Sequence, residues 1–195
     1  MEVELVFGRF AMKIKVSCYL RRLSGVVGLG VIIWLIFMAE VSQAMMLVQN
    51  QHRTKALQEI YETYKKNFPE VPEVTPAEAM KLLEAGQAVF VDVRPLPESR
   101  ISQLPGAVSA PEFLSCVDSY RGKTVIAYDT VGLRSGLFAE KLRKKGIGIA
   151  NLQAGLLGWL HAGGKIYDSK VNETKQVHIY GCIWNYAPLE YESVR

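Results

Sequence analysis

The chain has 195 residues, of which 49% are hydrophobic and 22% charged, and its formal net charge is +4. This length suits one compact domain with an appendage and disfavours two folded domains, and the small charge argues against a nucleic-acid-binding protein. The three cysteines, Cys18, Cys116 and Cys182, lack metal-ligand spacing, so neither a metal nor another cofactor is predicted. A disulfide between Cys116 and Cys182 stays open for an oxidising compartment.

The N-terminal region carries a membrane-targeting pattern. An uncharged apolar stretch runs from Leu23 to Ala39, and residues 23–48 are the predicted membrane contact. Small and polar residues before Ala44 also fit a signal peptide that is cleaved after that residue. A membrane anchor and a cleaved signal both stay open, as does a start at Met12 instead of Met1. Basic residues precede the stretch: Lys13, Lys15, Arg21 and Arg22.

These basic residues predict that the N-terminus stays on the cytoplasmic side, because positive charge flanking an apolar segment is retained there. The folded part is therefore expected outside the cytoplasm, either membrane-anchored or secreted into a space such as the periplasm. The chain divides into four predicted segments: a signal or anchor at 1–44, a connector helix at 45–70, an α/β domain at 71–168 and a C-terminal extension at 169–195 that packs on the domain.

The α/β domain is predicted from alternating helical and apolar patterns. Thr75 and Glu78 form a capping-box pattern around Pro76, which predicts the start of a helix. Continuous apolar runs are typical of strands covered on both faces, which indicates a mostly parallel sheet between helices. Ligands of such sheets bind beyond the carboxyl ends of the strands. The remaining predicted elements are strands at Ala88–Val93, Thr124–Tyr128 and Ile147–Leu152 and a helix at Ser135–Lys145.

Four segments between Val71 and Lys165 resemble the rhodanese family in order and spacing. Val91-Asp92-Val93-Arg94 is similar to its Asp-x-Arg motif, and Leu104-Pro105-Gly106-Ala107 to its Pro-Gly-Ala segment, with Gln103 at the usual histidine. Gly155-Leu156-Leu157-Gly158-Trp159 resembles the late glycine and tryptophan motif, and Val125 to Ser135 resembles the strand and active-site loop. The resemblance implies a rhodanese-like three-layer α/β/α fold, preceded here by the apolar N-terminal helix.

The resemblance also implies where the site lies. In active members a cysteine follows the strand and carries sulfur as a persulfide, whereas this sequence has Asp129 at that position. A carboxylate can supply the anion but not the sulfur chemistry, so the family's persulfide route is expected to be lost. The candidate site consists of Asp129, the loop residues Thr130, Val131, Gly132, Leu133, Arg134 and Ser135, and Asp92 and Arg94 beside them.

Two of these pairs have alternative roles. We expect Asp92 and Arg94 to form a structural ion pair that fixes the loop, with direct ligand contact as the alternative. Arg134 is expected either to neutralise Asp129 or to bind an external oxyanion. The leading hypothesis is a non-catalytic rhodanese-like module for binding, scaffolding or regulation, with a protein partner at the loop edge or at the aromatic C-terminal tail. The alternative is a sulfurtransferase that uses Cys182 or a partner's cysteine. A third hypothesis, an anion sensor, is disfavoured by the charge of Asp129.

Overall fold

The computed structural model describes residues 3–7, 10–14 and 26–195. The helices are α1 (Val26–Lys65), α2 (Pro76–Glu84), α3 (Leu96–Ile101), α4 (Ala110–Ser115), α5 (Leu133–Arg143) and α6 (Gly155–His161), with short 3-10 helices at Val117–Tyr120 and Cys182–Trp184. The strands are β1 (Val3–Phe7), β2 (Phe10–Ile14), β3 (Glu73–Val74), β4 (Ala88–Asp92), β5 (Val108–Ser109), β6 (Thr124–Tyr128), β7 (Ala150–Leu152), β8 (Gln176–His178) and β9 (Glu192–Val194).

The central sheet has five strands in the order β3-β7-β6-β4-β5, and every neighbouring pair is parallel. Strands β4 and β6 lie side by side at its centre, with Asp92 opposite Tyr128 at their carboxyl ends. Helices α2, α4, α5 and α6 contact these strands. The predicted mostly parallel sheet with flanking helices is therefore confirmed, and the turns after β4 and β6 share one edge.

The core surrounds the two central strands. Phe90 on β4 makes edge-on contacts with the rings of Tyr128 and Trp159, at centroid distances of 6.4 and 5.3 Å. The C-terminal part of α1 belongs to the same core, because its Leu57 and Tyr61 side chains are fully buried there. Burial of such aromatic side chains contributes on the order of 1.5–3 kcal/mol each to folding.

The chain divides into two compact units, residues 1–47 and residues 48–195. In the first unit β1 and β2 pair as an antiparallel hairpin, followed by the apolar part of α1, where side chains such as Trp34 and Phe37 are exposed. Helix α1 is long and apolar enough to cross a membrane, a property that signal sequences share. The predicted boundary between residues 44 and 45 falls inside this continuous helix. Cys18, Lys15, Arg21 and Arg22 lie outside the described residues.

Helix and strand ends differ from the sequence expectations in several places, and two of the differences have a clear cause. Helix α5 begins at Leu133, two residues before the predicted start, because Gly132 turns the chain with φ of 93° and ends the loop early. Strand β7 covers only Ala150–Leu152 of the predicted run, because its two neighbours pair with these residues alone: β6 with Ala150 and Asn151, and β3 with Asn151 and Leu152. The capping box at Thr75 is formed as predicted, since its hydroxyl accepts the Glu78 N–H at 3.2 Å.

The C-terminal extension contains regular structure that the sequence pattern did not indicate. Strands β8 and β9 pair in parallel, away from the central sheet. Val177, Ile179 and Ala187 are buried, and the Trp184 ring lies 5.7 Å from that of Tyr64 on α1. Apolar side chains of the extension thus pack on the α/β core.

Candidate functional site

Asp129 is the first residue after β6, at the carboxyl edge of the sheet. Its side chain is 1% exposed and accepts several hydrogen bonds. Oδ1 accepts the N–H of Gly132 at 2.7 Å and the Oγ–H of Ser135 at 2.8 Å, with the Ser135 N–H at 3.4 Å. Oδ2 accepts Nε–H of Arg134 at 3.2 Å. The loop therefore encloses the carboxylate of its own first residue, which receives backbone, hydroxyl and guanidinium donors.

Arg134 binds a second carboxylate besides Asp129. Its Nη1 and Nη2 groups donate to Oε1 and Oε2 of Glu98, both at 2.8 Å, in the bidentate geometry that planar guanidinium favours. Nη2 also lies 3.3 Å from Oγ1 of Thr130. Burial alone would raise the pKa of Glu98, but hydrogen bonding and the charge of Arg134 outweigh it and hold that pKa below its usual range. Two carboxylates thus share one guanidinium group.

Asp92 and Arg94 form a separate buried network at the end of β4. Nε and Nη2 of Arg94 donate to the two Asp92 oxygens at 2.9 and 2.7 Å, and Nη2 also donates to the Ser102 carbonyl. The Tyr128 hydroxyl donates to Asp92 at 2.7 Å and accepts the Leu104 N–H at 3.2 Å. Burial raises the pKa of Tyr128 well above its ordinary value, so it remains a donor. The pair fixes the β4 turn against β6.

The loop backbone is held from behind by α6 and α1. The N–H groups of Leu156 and Leu157 donate to the Asp129 and Thr130 carbonyls at 2.8 and 3.1 Å. Asn151 Nδ2 donates to the Gly132 carbonyl at 2.9 Å and lies 3.1 Å from the Tyr61 hydroxyl.

Two glycines permit this approach of the segments. A Cβ on Gly155 would lie 2.4 Å from the Asp129 carbonyl oxygen. A Cβ on Gly132 would lie 2.6 Å from the Tyr61 ring. Both positions therefore require glycine.

Two residues of the C-terminal extension reach the mouth of the loop. The Tyr180 ring lies 5.2 Å from the Arg134 guanidinium carbon, in a cation–π arrangement. His178 Nδ1 lies 3.8 Å from Oε2 of Glu98. Neither Glu98 nor His178 was predicted from the sequence to belong to the site. Glu98 lies 36 residues before its partner Arg134, and no local pattern marks its side chain as inward-facing.

Most predicted site residues come together, but other candidates lie apart. Thr130, Val131 and Ser135 are buried in the loop, and Leu133 packs partly on the core. Cys116 is a free thiol whose Sγ lies 3.2 Å from the Glu112 carbonyl, while the side chain of Cys182 lies outside the described part of the structure. Within residues 3–7, 10–14 and 26–195, no group of three or more histidine, cysteine, aspartate or glutamate residues could hold a metal.

Residues 75–162 match the model of the rhodanese-like domain. No curated protein matches the chain. Among solved structures, a thiosulfate sulfurtransferase from Pseudomonas aeruginosa is 26% identical with a TM-score of 0.49, and the match covers 57% of this chain but only 23% of that enzyme.

Two further solved structures are similar over nearly their whole length. A protein of unknown function from Rhodopseudomonas palustris, described as a possible tyrosine phosphatase, is 26% identical with a TM-score of 0.44, covering 58% of this chain and 92% of that one. A rhodanese-related protein from Thermoplasma volcanium is 18% identical with a TM-score of 0.43, covering 49% and 96%. The matched model and the parallel sheet show that the chain contains a rhodanese-like domain at residues 75–162.

Proposed function

We propose that this rhodanese-like domain is a non-catalytic binding module, in which Asp129 takes the position of the sulfur-carrying cysteine. One observation carries the proposal. The group at the start of the loop is a buried carboxylate that already receives the loop's donors from Gly132, Ser135 and Arg134. Sulfur transfer needs a thiolate that attacks a sulfane sulfur and holds it as a persulfide. A carboxylate has no sulfur with which to form that bond.

The charge distribution also opposes binding of a small external anion. Asp129 and Glu98 both contact Arg134, whose donors are directed at these internal carboxylates. A further anion would meet two negative charges beside one partly exposed cation, and it would lose hydration on entry. The role that this arrangement favours is binding of a partner protein over the edge of the loop.

A partner surface is supported by the exposed side chains of the C-terminal extension. Tyr180 and Ile183 are 68% and 72% exposed, and Tyr180 lies directly over Arg134. Exposed aromatic and aliphatic groups beside an arginine are typical of the centres of protein interfaces. The proposed partner site therefore joins the loop edge to the aromatic tail.

We further propose that α1 holds the domain at a membrane, with the domain outside the cytoplasm. The exposed apolar side chains of α1 support membrane contact, since such a surface is costly in water. The orientation rests on the basic residues that precede the helix in sequence. Cleavage of the N-terminal segment would instead release the domain into the same compartment.

The decisive experiment is thiosulfate:cyanide sulfur transfer by the full chain in detergent micelles. We expect the native protein to be inactive and the Asp129→Cys variant to gain activity. Asp118→Cys is the matched control, because Asp118 is a highly exposed aspartate away from the loop. If Asp129→Cys gains activity and Asp118→Cys does not, the absence of sulfur transfer in the native protein is due to Asp129.

The alternative function, sulfur transfer through another cysteine, predicts a different outcome. Native activity that disappears in a Cys182→Ser or Cys116→Ser variant would refute the non-catalytic proposal and identify the thiol in use. Native activity that requires an added partner protein would point to a partner's cysteine.

A further inference from the structure

A short part of the C-terminal extension covers the mouth of the Asp129 loop. We call residues 176–180 the cover. Its Val177 is fully buried, and the N–H of His178 donates to Oγ of Ser102 at 3.2 Å. The Tyr180 ring closes the cover over Arg134, which leaves the Arg134 side chain 31% exposed. The Arg134 and Glu98 pair therefore has the cover on its outer side.

His178 is the one titratable side chain of the cover that points inward. It is 14% exposed, and within the part of the chain that the structure describes no hydrogen-bond partner reaches its buried Nδ1. The charged groups that face it are Glu98 on α3, Arg94 after β4 and Arg134 on α5. Its β9 neighbour, Val194, is uncharged.

The surroundings of His178 suit a neutral imidazole. A protonated ring would face two guanidinium groups, while Glu98, the single carboxylate beside it, is already bound bidentately by Arg134. The 3.8 Å separation from Glu98 is too long for a hydrogen bond. A positive charge on His178 would thus be poorly compensated as long as the cover is closed.

We propose that protonation of His178 weakens the closed cover, so that the mouth of the Asp129 loop opens more often as the pH falls below about 6.5. Opening would separate Tyr180 from Arg134 and so would add pH control to the partner-binding surface that these two residues form when the cover is closed. The inference rests on the proposed function only in treating this surface as a binding surface, because the movement itself does not depend on what binds there.

The sign of the effect follows from proton linkage. Burial, followed by the charges of Arg94 and Arg134, lowers the pKa of His178 and outweighs the opposing effect of Glu98. In the released cover the imidazole regains an ordinary pKa of about 6.5. The closed state therefore binds fewer protons, and its stability is present above pH 6.5 and lost as the pH falls. At pH 5.5 the closed-to-open ratio can decrease by up to about tenfold.

Hydrogen exchange of the full chain in detergent micelles tests the proposal. The measured quantity is the protection factor of the His178 and Ile179 amides, which donate to Ser102 and to Val194 in the closed cover. Exchange is measured at pH 7.5 and 5.5 and corrected for the intrinsic pH dependence of amide exchange. We expect protection to fall several-fold, and up to about tenfold, at pH 5.5.

His161 supplies the matched control. Burial lowers its pKa too, but both of its ring nitrogens have partners, Thr54 at 2.9 Å and the Tyr186 carbonyl at 2.7 Å. We expect His161→Gln to keep the fall in protection at residues 178 and 179, and His178→Gln to abolish it. The proposal would be overturned if the native protein lost no protection between pH 7.5 and 5.5. It would also be overturned if protection in His178→Gln fell between these pH values as much as in the native protein.

A second measurement covers the case in which His178→Gln disrupts the cover at every pH. The pKa of the His178 ring in the native full chain is measured by NMR titration of the imidazole signals. A pKa below 6.5 supports the proposal, and a pKa at or above 6.5 refutes it, because protonation would then not favour the open state. Neither measurement involves sulfur transfer, so the cover and the proposed function can fail independently.

Discussion

The buried pair of Asp92 and Arg94 offers a sharp test of how the site edge is stabilised. The Asp92→Asn substitution keeps the shape of the side chain but removes its charge. The side chains of Arg94 and Asp92 are 0% and 4% exposed, so the guanidinium cannot recover hydration once its counter-charge is gone. The N–H₂ group of the new asparagine would also face a donor, either an N–H of Arg94 or the Tyr128 hydroxyl. Breaking one side of a buried pair costs about 3–5 kcal/mol.

The assay is urea denaturation of the full chain in detergent micelles, followed by tryptophan fluorescence, which reports on Trp159 in the core. Asp118→Asn is the matched control, because the Asp118 and Arg121 pair is more than four-fifths exposed and should give no measurable change. A loss of less than about 1 kcal/mol in unfolding free energy for Asp92→Asn would contradict this prediction, since it would mean that water or structural relaxation stabilises the unpaired charge of Arg94. Adding Arg94→Met should recover part of the loss by removing the unpaired charge.

Three further predictions concern packing, pH and helix capping. Gly136→Ala should destabilise the domain by about 1–3 kcal/mol in the same urea assay, because the new Cβ would lie 2.3 Å from the Phe68 ring, whereas Gly148→Ala meets nothing within 4 Å and should be neutral or slightly stabilising. Glu98→Gln should reduce the midpoint of thermal unfolding at pH 7. The pKa of Glu98 is lowered in the folded state, so its stabilising effect is present above about pH 4.5 and is lost as the pH falls through the folded value. The difference in midpoint between variant and native protein should therefore narrow as the pH of the scans is lowered below about 4.5. Thr75→Ala should cost about 1 kcal/mol by urea denaturation, since it removes the hydroxyl that caps α2, and an unchanged midpoint would contradict this role.

The central strands were predictable because a strand that is buried on both faces has a nearly continuous apolar sequence. The run at β4 and the run at β6 are apolar without alternation, and the structure places both in the middle of the sheet. The edge strands are different. Strand β5 has two residues, Val108 and Ser109, which is too short for any periodicity to appear. Helix α4 was not predicted although its sequence carries a signal, because Ser109 and Glu112 have the spacing of a helix cap.

The candidate site was predictable only where its residues are close in sequence. Residues 129–135 form one loop and helix start, so a single motif brings Asp129, Arg134 and Ser135 together. Glu98 and His178 reach the same place from α3 and from the C-terminal extension. Their positions depend on how these elements pack, which hydrophobic patterning does not specify. The family resemblance therefore predicts the anion in the loop, whereas neither it nor the hydrophobic patterning predicts the second carboxylate or the cover.

The loop owes its shape to the backbone and to its glycines more than to the Asp129 side chain. The Asp129 and Thr130 carbonyls are held by the first turn of α6, and the Gly132 carbonyl by Asn151. None of these contacts involves the Asp129 carboxylate, so a smaller side chain at position 129 should leave them in place. Glu98 would still bind Arg134 in such a variant. If the proposal holds, one side chain separates this domain from sulfur chemistry, and Asp129→Cys isolates that chemistry from the fold.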